Sequence, residues 1–134
     1  MLKIFIAFPL MLLSVGCASI FDQAPPEERV ANRSQERLDL LMAGDIGGAY
    51  EYTTPGYRTA QDVRRYGARW AGAAMWMSAS VHQVTCSGGE VSEVCKATVK
   101  VTYRRPPHAV TDTFLFEEWI LIDGEWFIYQ PLGE

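Results

Sequence analysis

The chain has little positive charge. Its 134 residues include 12 Lys and Arg against 16 Asp and Glu, which gives a formal net charge of -4 at pH 7. Proteins that bind nucleic acid need basic side chains to neutralise phosphates. The charge balance therefore argues against nucleic acid as a partner, and the length is that of one domain.

The chain also lacks, at its start, a hydrophobic run long enough to span a membrane. The apolar run from Ile4 to Val15 has twelve residues. As a helix it would span about 18 Å, whereas the hydrocarbon core of a bilayer is about 30 Å thick. The run follows Lys3 and precedes small residues, an order that is typical of an export signal rather than of a transmembrane helix.

The small residues end at a cysteine. Residues 14–17, Ser-Val-Gly-Cys, resemble the end of a bacterial lipoprotein signal, although Ser14 stands where that signal usually has Leu. The resemblance implies that residues 1–16 are a signal peptide and that Cys17 becomes the lipid-bearing N-terminus. Ala18 follows the cysteine, which implies sorting to the outer membrane, facing the periplasm. The alternative is ordinary cleavage after Ala18, which would give a soluble protein.

Cysteine and histidine are scarce in the rest of the chain. It has Cys86, Cys95, His82 and His108, with no C-x-x-C pair and no His adjacent to a Cys. This pattern argues against a metal or redox site, and we expect no metal and no cofactor. Export would place the two cysteines in an oxidising compartment. A disulfide across a hairpin that turns within Ser87–Val94 is therefore predicted, and His108 is expected to be exposed.

The region after the signal begins without regular structure. Residues 17–26 have neither a helical nor a strand period and are predicted to be a lipidated tether to a domain over residues 27–134. Three helices are predicted next. Gly44 ends the first, Asp45 caps a short second one, and Gln61–Trp70 forms the third. A break is expected at Thr53-Thr54-Pro55-Gly56.

Strand patterns fill the second half of the domain. A first strand is predicted over Met75–Cys86. Val94–Tyr103 alternates apolar and polar residues, as a half-buried strand does, and Thr111–Ile122 is apolar on both faces. An Asp-Gly pair at 123–124 favours a hairpin turn into Glu125–Tyr129. Helices followed by antiparallel strands predict an α+β domain.

Four stretches of the chain carry a family resemblance. They are Leu38–Leu41 with Ala43-Gly44-Asp45, then Ala49-Tyr50, then Thr54–Arg58, and last the hairpin from Glu118-Trp119 to Gly124-Glu125-Trp126. Together they resemble the nuclear-transport-factor-2-like superfamily (SnoaL-like and ketosteroid-isomerase-like proteins), in its small exported bacterial members. The resemblance implies a cone, in which a curved antiparallel sheet wraps against the N-terminal helices and can leave a pocket. Because that superfamily contains both enzymes and binding modules, its fold does not decide the function.

Aromatic residues are abundant for a small domain, and those at the mouth of the cone would form a pocket or an interface. The candidates are Tyr57, Trp70, His82, Tyr103 and Trp119. Among them, His82 alternates with Val84 and Cys86 and is predicted to share the core face of its strand.

Basic residues form one cluster in an otherwise acidic chain: Arg58, Arg64, Arg65 and Arg69. Such a patch could contact lipid headgroups, an anionic polymer or an acidic partner. The alternative is a solvated helix face with Tyr66 and Trp70 packed beneath it.

No set of catalytic residues can be assigned. Ketosteroid-isomerase-like enzymes use carboxyl groups and a tyrosine around an apolar pocket. This chain has residues of those types, but none aligns with that set: Tyr50, Tyr57, Asp45, Asp62 and the Glu117-Glu118 pair. Asp45 and Asp62 are better explained as residues at helix starts.

The sequence therefore favours a non-enzymatic role. We expect a lipoprotein that binds another envelope protein or serves as an accessory subunit of a membrane complex. The contact would use the sheet face opposite the helices, with a partner protein or with a second copy in a homodimer. The alternative is a pocket protein that binds or isomerises a small apolar molecule.

The lipoprotein prediction is testable at the mature N-terminus. Mass spectrometry of protein from the membrane fraction is expected to find Cys17 as the first residue, with its mass raised by acyl chains. An unmodified chain that starts at Ser19 would contradict it.

Overall fold

A computed structural model describes residues 24–88, 92–107 and 109–133. The predicted signal peptide, the predicted lipidation site Cys17 and His108 lie outside the described residues. In the described part, four α-helices and a short 3₁₀ helix precede an open antiparallel sheet of four strands. The α+β prediction is confirmed. No described helix is long and apolar enough to cross a bilayer.

The longest helix, α1, runs from Pro26 to Met42. A proline in its first turn fits because its missing N–H would have no partner there, and Glu27 and Glu28 interact favourably with the positive end of the helix dipole. Gly44 follows with a φ of 76°, a left-handed conformation that glycine adopts without steric cost. The predicted end of the first helix is confirmed.

Two of the short helices begin at an aspartate, as predicted. Helix α2 covers Ile46–Tyr50, and the Asp45 carboxylate accepts a bond from the Gly48 N–H at 2.9 Å. A Cβ on Gly48 would lie 2.7 Å from that carboxylate, which explains a glycine inside a helix. Asp62 caps a later helix in the same way, by accepting from the Arg65 N–H at 2.8 Å.

One helix was not predicted from the sequence. The later helix capped by Asp62 is α4, Val63–Trp70, and α3 lies before it over Pro55–Ala60. The break expected at residues 53–56 is therefore wrong in part. Thr54 caps α3 through its side chain and Pro55 fills the first turn, so the same residues that end one helix begin another.

The strands form a meander in the order β1-β2-β3-β4. Their bounds are Trp76–Ser87, Val94–Arg105, Ala109–Ile122 and Glu125–Tyr129. The 3₁₀ helix Ala71–Met75 leads into β1. Cys86 and Cys95 are paired directly opposite each other on β1 and β2 and form a disulfide, which confirms that prediction.

A bulge in β1 contradicts the prediction made for His82. Val81 pairs with Val99 and Gln83 pairs with Thr98, so the register shifts at His82. One extra residue interrupts the alternation that would have placed His82 with Val84 on the core face. Instead, His82 is exposed, and its ring centroid lies 5.6 Å from that of Phe114.

Helix α1 covers one face of the sheet, and the core lies between them. Val30 of α1 packs there against buried residues of three strands: Cys95, Ala97, Trp119, Trp126 and Ile128. The free edge of β4 is covered as well, since the Ile128 N–H donates to the Tyr52 carbonyl at 2.8 Å and Thr53 forms a parallel bridge with Ile128. Trp119 is fully buried. It therefore belongs to the core. The prediction that it lines a pocket mouth or an interface is wrong.

Removal of the disulfide should destabilise the fold. The disulfide joins residues nine apart in sequence. In the chain-entropy account, closing a loop of that length contributes about 2.5 kcal/mol. We expect a Cys86→Ala, Cys95→Ala double variant to lose about that much free energy of unfolding in urea. The wild-type protein measured in a reducing agent is the control and should lose a similar amount. A double variant as stable as the oxidised protein would contradict the prediction.

Candidate functional site

The centre of the domain holds a buried ion pair. Arg37 of α1 is fully buried and Glu117 of β3 is 6% exposed. The Arg37 Nη1 donates to Glu117 Oε1 at 2.9 Å. On the other carboxylate oxygen, Ser34 Oγ donates at 2.6 Å and Trp119 Nε1 donates at 2.8 Å. Both carboxylate oxygens are thus occupied by protein donors.

The guanidinium of Arg37 has aromatic neighbours. Its Nε donates to the Tyr66 hydroxyl at 3.1 Å, and its central carbon lies 4.5 Å from the centroid of the Trp70 ring. Burial raises the pKa of the Tyr66 hydroxyl, and the nearby Arg37 charge opposes that rise. The tyrosine stays protonated at neutral pH and donates to the Ala49 carbonyl at 3.4 Å. These groups fill the space between α1, α4 and the sheet.

Arg37 and a role for Glu117 were not predicted from the sequence, although the pattern around both positions indicates burial. Arg37 lies three residues after Ser34 and seven after Val30, on the buried stripe of α1. Glu117 alternates with Trp119 and so lies on the core face of β3. A charge on each of two buried faces predicts a pair, because a lone buried charge is costly.

Other carboxylates and tyrosines of the chain have structural partners. Asp45 and Asp62 cap helices. The Tyr50 hydroxyl donates to the Gln61 carbonyl at 2.6 Å. Glu118 lies beside Glu117 in sequence but on the opposite face of the sheet, opposite Tyr129. Asp45, Asp62 and Tyr50 thus have structural roles in the described part of the chain. The described residues also contain no group of three or more His, Cys, Asp or Glu that could hold a metal ion.

The sheet face opposite the helices, here called the outer face, exposes a row of apolar residues. Phe116 is 82% exposed, and Phe114 is 47% exposed beside it on β3. Val110 on the same strand and Tyr129 on β4 add exposed apolar surface. His82 lies against Phe114, so the bulge in β1 adds this residue to the outer face and not to a pocket.

Charges of both signs flank this apolar row. Lys100 pairs with Asp112 at 3.0 Å across β2 and β3, and the Thr102 hydroxyl donates to Asp112 at 2.7 Å. The Thr102 hydrogen bond and the Lys100 charge hold the pKa of Asp112 below its ordinary value. Lys96 and Glu118 lie opposite each other on the same two strands. The outer face is therefore apolar along its middle and mixed in charge around it.

An apolar cleft lies where the 3₁₀ helix meets the ends of β2 and β3. It has a volume of about 450 Å³ and is lined by Met75, Trp76, Val101, Tyr103 and Leu115, together with the turn at Pro106 and Pro107. Tyr103 is the one predicted pocket residue that lines this cleft.

The predicted basic patch divides into two parts. Arg64, Arg65 and Arg69 are exposed on α4. Arg58 is not part of the patch: it is half-buried, its Nη1 donates to the Glu51 carbonyl at 2.7 Å and also to the Thr53 carbonyl, and its charge lies over the Phe127 ring. Arg58 therefore holds the segment that covers the edge of β4.

A second and larger cavity lies beside α4, here called the α4 cavity. It has a volume of about 800 Å³ and is lined by Tyr57, Gln61, Arg65, Arg69 and residues 131–133. Trp70, on the same helix, is half-buried and donates through Nε1 to Gln130 at 3.2 Å. The structure thus places Tyr57 and two of the basic residues together and keeps Trp70 in the packing beneath them.

Comparison with known proteins gives a fold and no family. No family model matches the chain, and no curated protein matches it. A SEC-C motif containing protein from Rhodopseudomonas palustris has a similar structure, with a TM-score of 0.56, 14% identity and 73% of each chain covered. Another from Psychrobacter arcticus has a TM-score of 0.60 and 14% identity, over 95% of this chain and 76% of that one. At such identity the likeness shows the fold alone, and the resemblance to the nuclear-transport-factor-2-like superfamily stays a prediction.

The buried pair gives a test of how the domain is held together. Glu117→Gln keeps the size of the side chain but leaves the Arg37 charge buried without a counter-charge. Breaking a buried pair in this way costs about 3–5 kcal/mol, so we expect a loss of that order in the free energy of unfolding in urea.

The matched control makes the same chemical change on the same strand. Asp112→Asn breaks the exposed pair with Lys100, which should have little effect on stability because water solvates both groups. Equal losses in the two variants would contradict the structural role assigned to the buried pair.

Proposed function

We propose that this protein is an outer-membrane lipoprotein that faces the periplasm and acts as a non-enzymatic binding or accessory subunit of an envelope complex. It makes its protein contact through the outer face. The observation that carries this proposal is the exposed apolar row centred on Phe116 and Phe114. Single exposed apolar side chains are ordinary, but neighbouring ones on a flat sheet face are typical of a contact surface.

The charges around the row favour a second copy of this chain as the first occupant. Two copies related by a two-fold axis present the same surface to each other, so that surface must complement itself. A face with Lys96 and Lys100 on one strand and Asp112 and Glu118 on the next can place opposite charges against each other after such a rotation. A face of one charge sign would repel its copy.

The interior of the domain supports a non-enzymatic role. The carboxylate that points inward, Glu117, has both oxygens bonded to protein donors. A general base needs a free oxygen within reach of the proton that it removes. The exported location rests on the predicted signal peptide, in which a short apolar run is followed by Gly16 and Cys17.

The apolar cleft around Tyr103 supports the alternative function, a protein that binds a small apolar molecule. Its volume of about 450 Å³ lies within the usual range for ligand pockets, which is roughly 300–1,000 Å³. The cleft has no described carboxylate in its lining. This alternative therefore favours binding over isomerisation.

The association state tests the proposal. We expect the full chain, in density-matched nonionic detergent, to sediment as a dimer. Phe116→Gln should weaken the dimer. Burial of a phenyl group contributes about 1.5–3 kcal/mol, and a two-fold interface counts it twice, so the dissociation constant should rise at least about a hundredfold.

Met75→Gln is the control for this experiment. Met75 is 80% exposed against 82% for Phe116, but it lies on the 3₁₀ helix, at the cleft. The Met75→Gln substitution should leave the dimer intact. A dimer that persists in Phe116→Gln would refute pairing through the outer face. If the wild-type chain is a monomer, the outer face should instead bind a different protein, which co-purification from membranes should recover. Failure to recover such a protein would refute the proposal.

A further inference from the structure

The α4 cavity brings two guanidinium groups to one place. Arg65 and Arg69 are four residues apart on α4, a spacing that puts both side chains on the same face of a helix. Both line the cavity. Arg64 instead lines a neighbouring depression, which Arg65 also borders. Helix geometry therefore explains why the side chains of Arg65 and Arg69 line the same cavity.

These charges are not neutralised by the described part of the chain. Three ion pairs occur there, and they use Arg33, Arg37 and Lys100. Among the described residues, no carboxylate lies within ion-pair distance of Arg65 or Arg69. The two guanidinium groups are therefore available to a ligand.

A tyrosine supplies a third donor at the same place. Tyr57 lines the cavity and is only 6% exposed, and its hydroxyl makes no hydrogen bond to any described residue. Burial raises the pKa of this hydroxyl, and the charges of Arg69 and Arg65 oppose the rise. The hydroxyl is therefore protonated at neutral pH and lies close enough to feel both charges. Since this hydroxyl borders the cavity and has no protein partner among the described residues, it can donate to a ligand or to water.

The walls of the cavity are held in place before any ligand arrives. The Tyr57 ring packs at centroid distances of 6.4 Å and 6.2 Å from the rings of Tyr50 and Tyr66. Gln61 Nε2 donates to the Leu132 carbonyl at 3.3 Å, which joins the C-terminal segment to the start of α4. These contacts hold the Tyr57 donor and one wall of the cavity in place, which lowers the entropy cost of binding.

We propose that the α4 cavity binds a phosphate ester, with Arg65, Arg69 and the Tyr57 hydroxyl as its donors. Guanidinium groups match the paired oxygens of phosphate, and a hydroxyl donor can bond a third oxygen. A carboxylate offers only two oxygens to three donors. The volume of about 800 Å³ leaves room for the group that carries the phosphate. This inference shares no residue with the outer face and does not depend on the proposed pairing.

A phosphate of this kind has two sources, a soluble phosphate ester or a phospholipid headgroup. Isothermal titration calorimetry of the full chain in nonionic detergent, with inorganic phosphate and with sn-glycerol 3-phosphate, tests the shared chemistry. We expect saturable binding that weakens as salt is added. Detergent micelles that contain phosphatidylglycerol, compared with micelles that contain phosphatidylcholine, then separate the sources. Displacement of glycerol phosphate by the former alone assigns the site to a membrane lipid, and no displacement assigns it to a soluble ester.

Three variants and one control locate the binding. Arg65→Gln and Arg69→Gln should each raise the dissociation constant for glycerol phosphate at least about tenfold, as expected for the loss of a charged hydrogen bond. Tyr57→Phe should raise it several-fold while keeping the ring packing. Arg64→Gln makes the same change of charge on the same helix, outside the cavity, and should have no comparable effect.

Three results would overturn the inference. One is the absence of any binding by the wild-type chain. Another is an equal loss in Arg64→Gln and Arg65→Gln, since that would indicate a diffuse basic surface. The third is binding of succinate as tight as that of glycerol phosphate. The arginines on α4 are exposed, so the variants should fold, and circular dichroism with thermal unfolding checks that they do.

Discussion

The buried pair between Arg37 and Glu117 is the constraint on which the rest of the structure depends. It joins the middle of α1 to the middle of β3 at 2.9 Å in a region without exposed surface. Such a pair adds little net stability compared with an apolar contact, since both charges must leave water. Its effect is on specificity: only one register of α1 over the sheet brings the guanidinium to the carboxylate, and every other register buries two separate charges.

The same pair accounts for the aromatic packing around it. Glu117 needs further donors because one guanidinium bond leaves an oxygen free, and Ser34 and Trp119 supply them. The Arg37 Nη2 has no hydrogen-bond acceptor among the described residues. The Trp70 ring lies over this guanidinium at 4.5 Å and gives it a partial substitute, since the face of an indole ring attracts a cation. A planar guanidinium suits that stacking, whereas the compact ammonium of lysine does not.

Local patterns in the sequence predicted most of the elements, and each failure has a physical cause. Alternation and the Asp-Gly turn predicted the strands to within a few residues, and Asp45, Asp62 and Gly44 predicted helix ends, because each signal acts over a few neighbouring residues. His82, Trp119 and Arg58 were misplaced because alternation and composition do not show what pairing and packing add. The bulge that turns His82 outward exists only in the pairing of β1 with β2. Trp119 is buried because Val30 of α1 and residues of β2 and β4 pack against it. Arg58 bonds two nearby backbone carbonyls, which a count of basic residues does not show.

Since protein donors occupy both oxygens of Glu117 in the interior, the proposed functions use two surface sites, the outer face and the α4 cavity. The two sites differ in what they can recognise. The outer face is an open sheet surface whose exposed rings lie on alternate residues of one strand, which suits a partner that is itself broad and flat. The α4 cavity is concave and has three donors in its lining, which suits a small group of fixed geometry. Residues of the two sites lie on different elements, the strands in one case and α3, α4 and the C-terminal segment in the other. A ligand in the cavity would therefore not compete with a protein on the sheet, and the two activities can be separated by single substitutions.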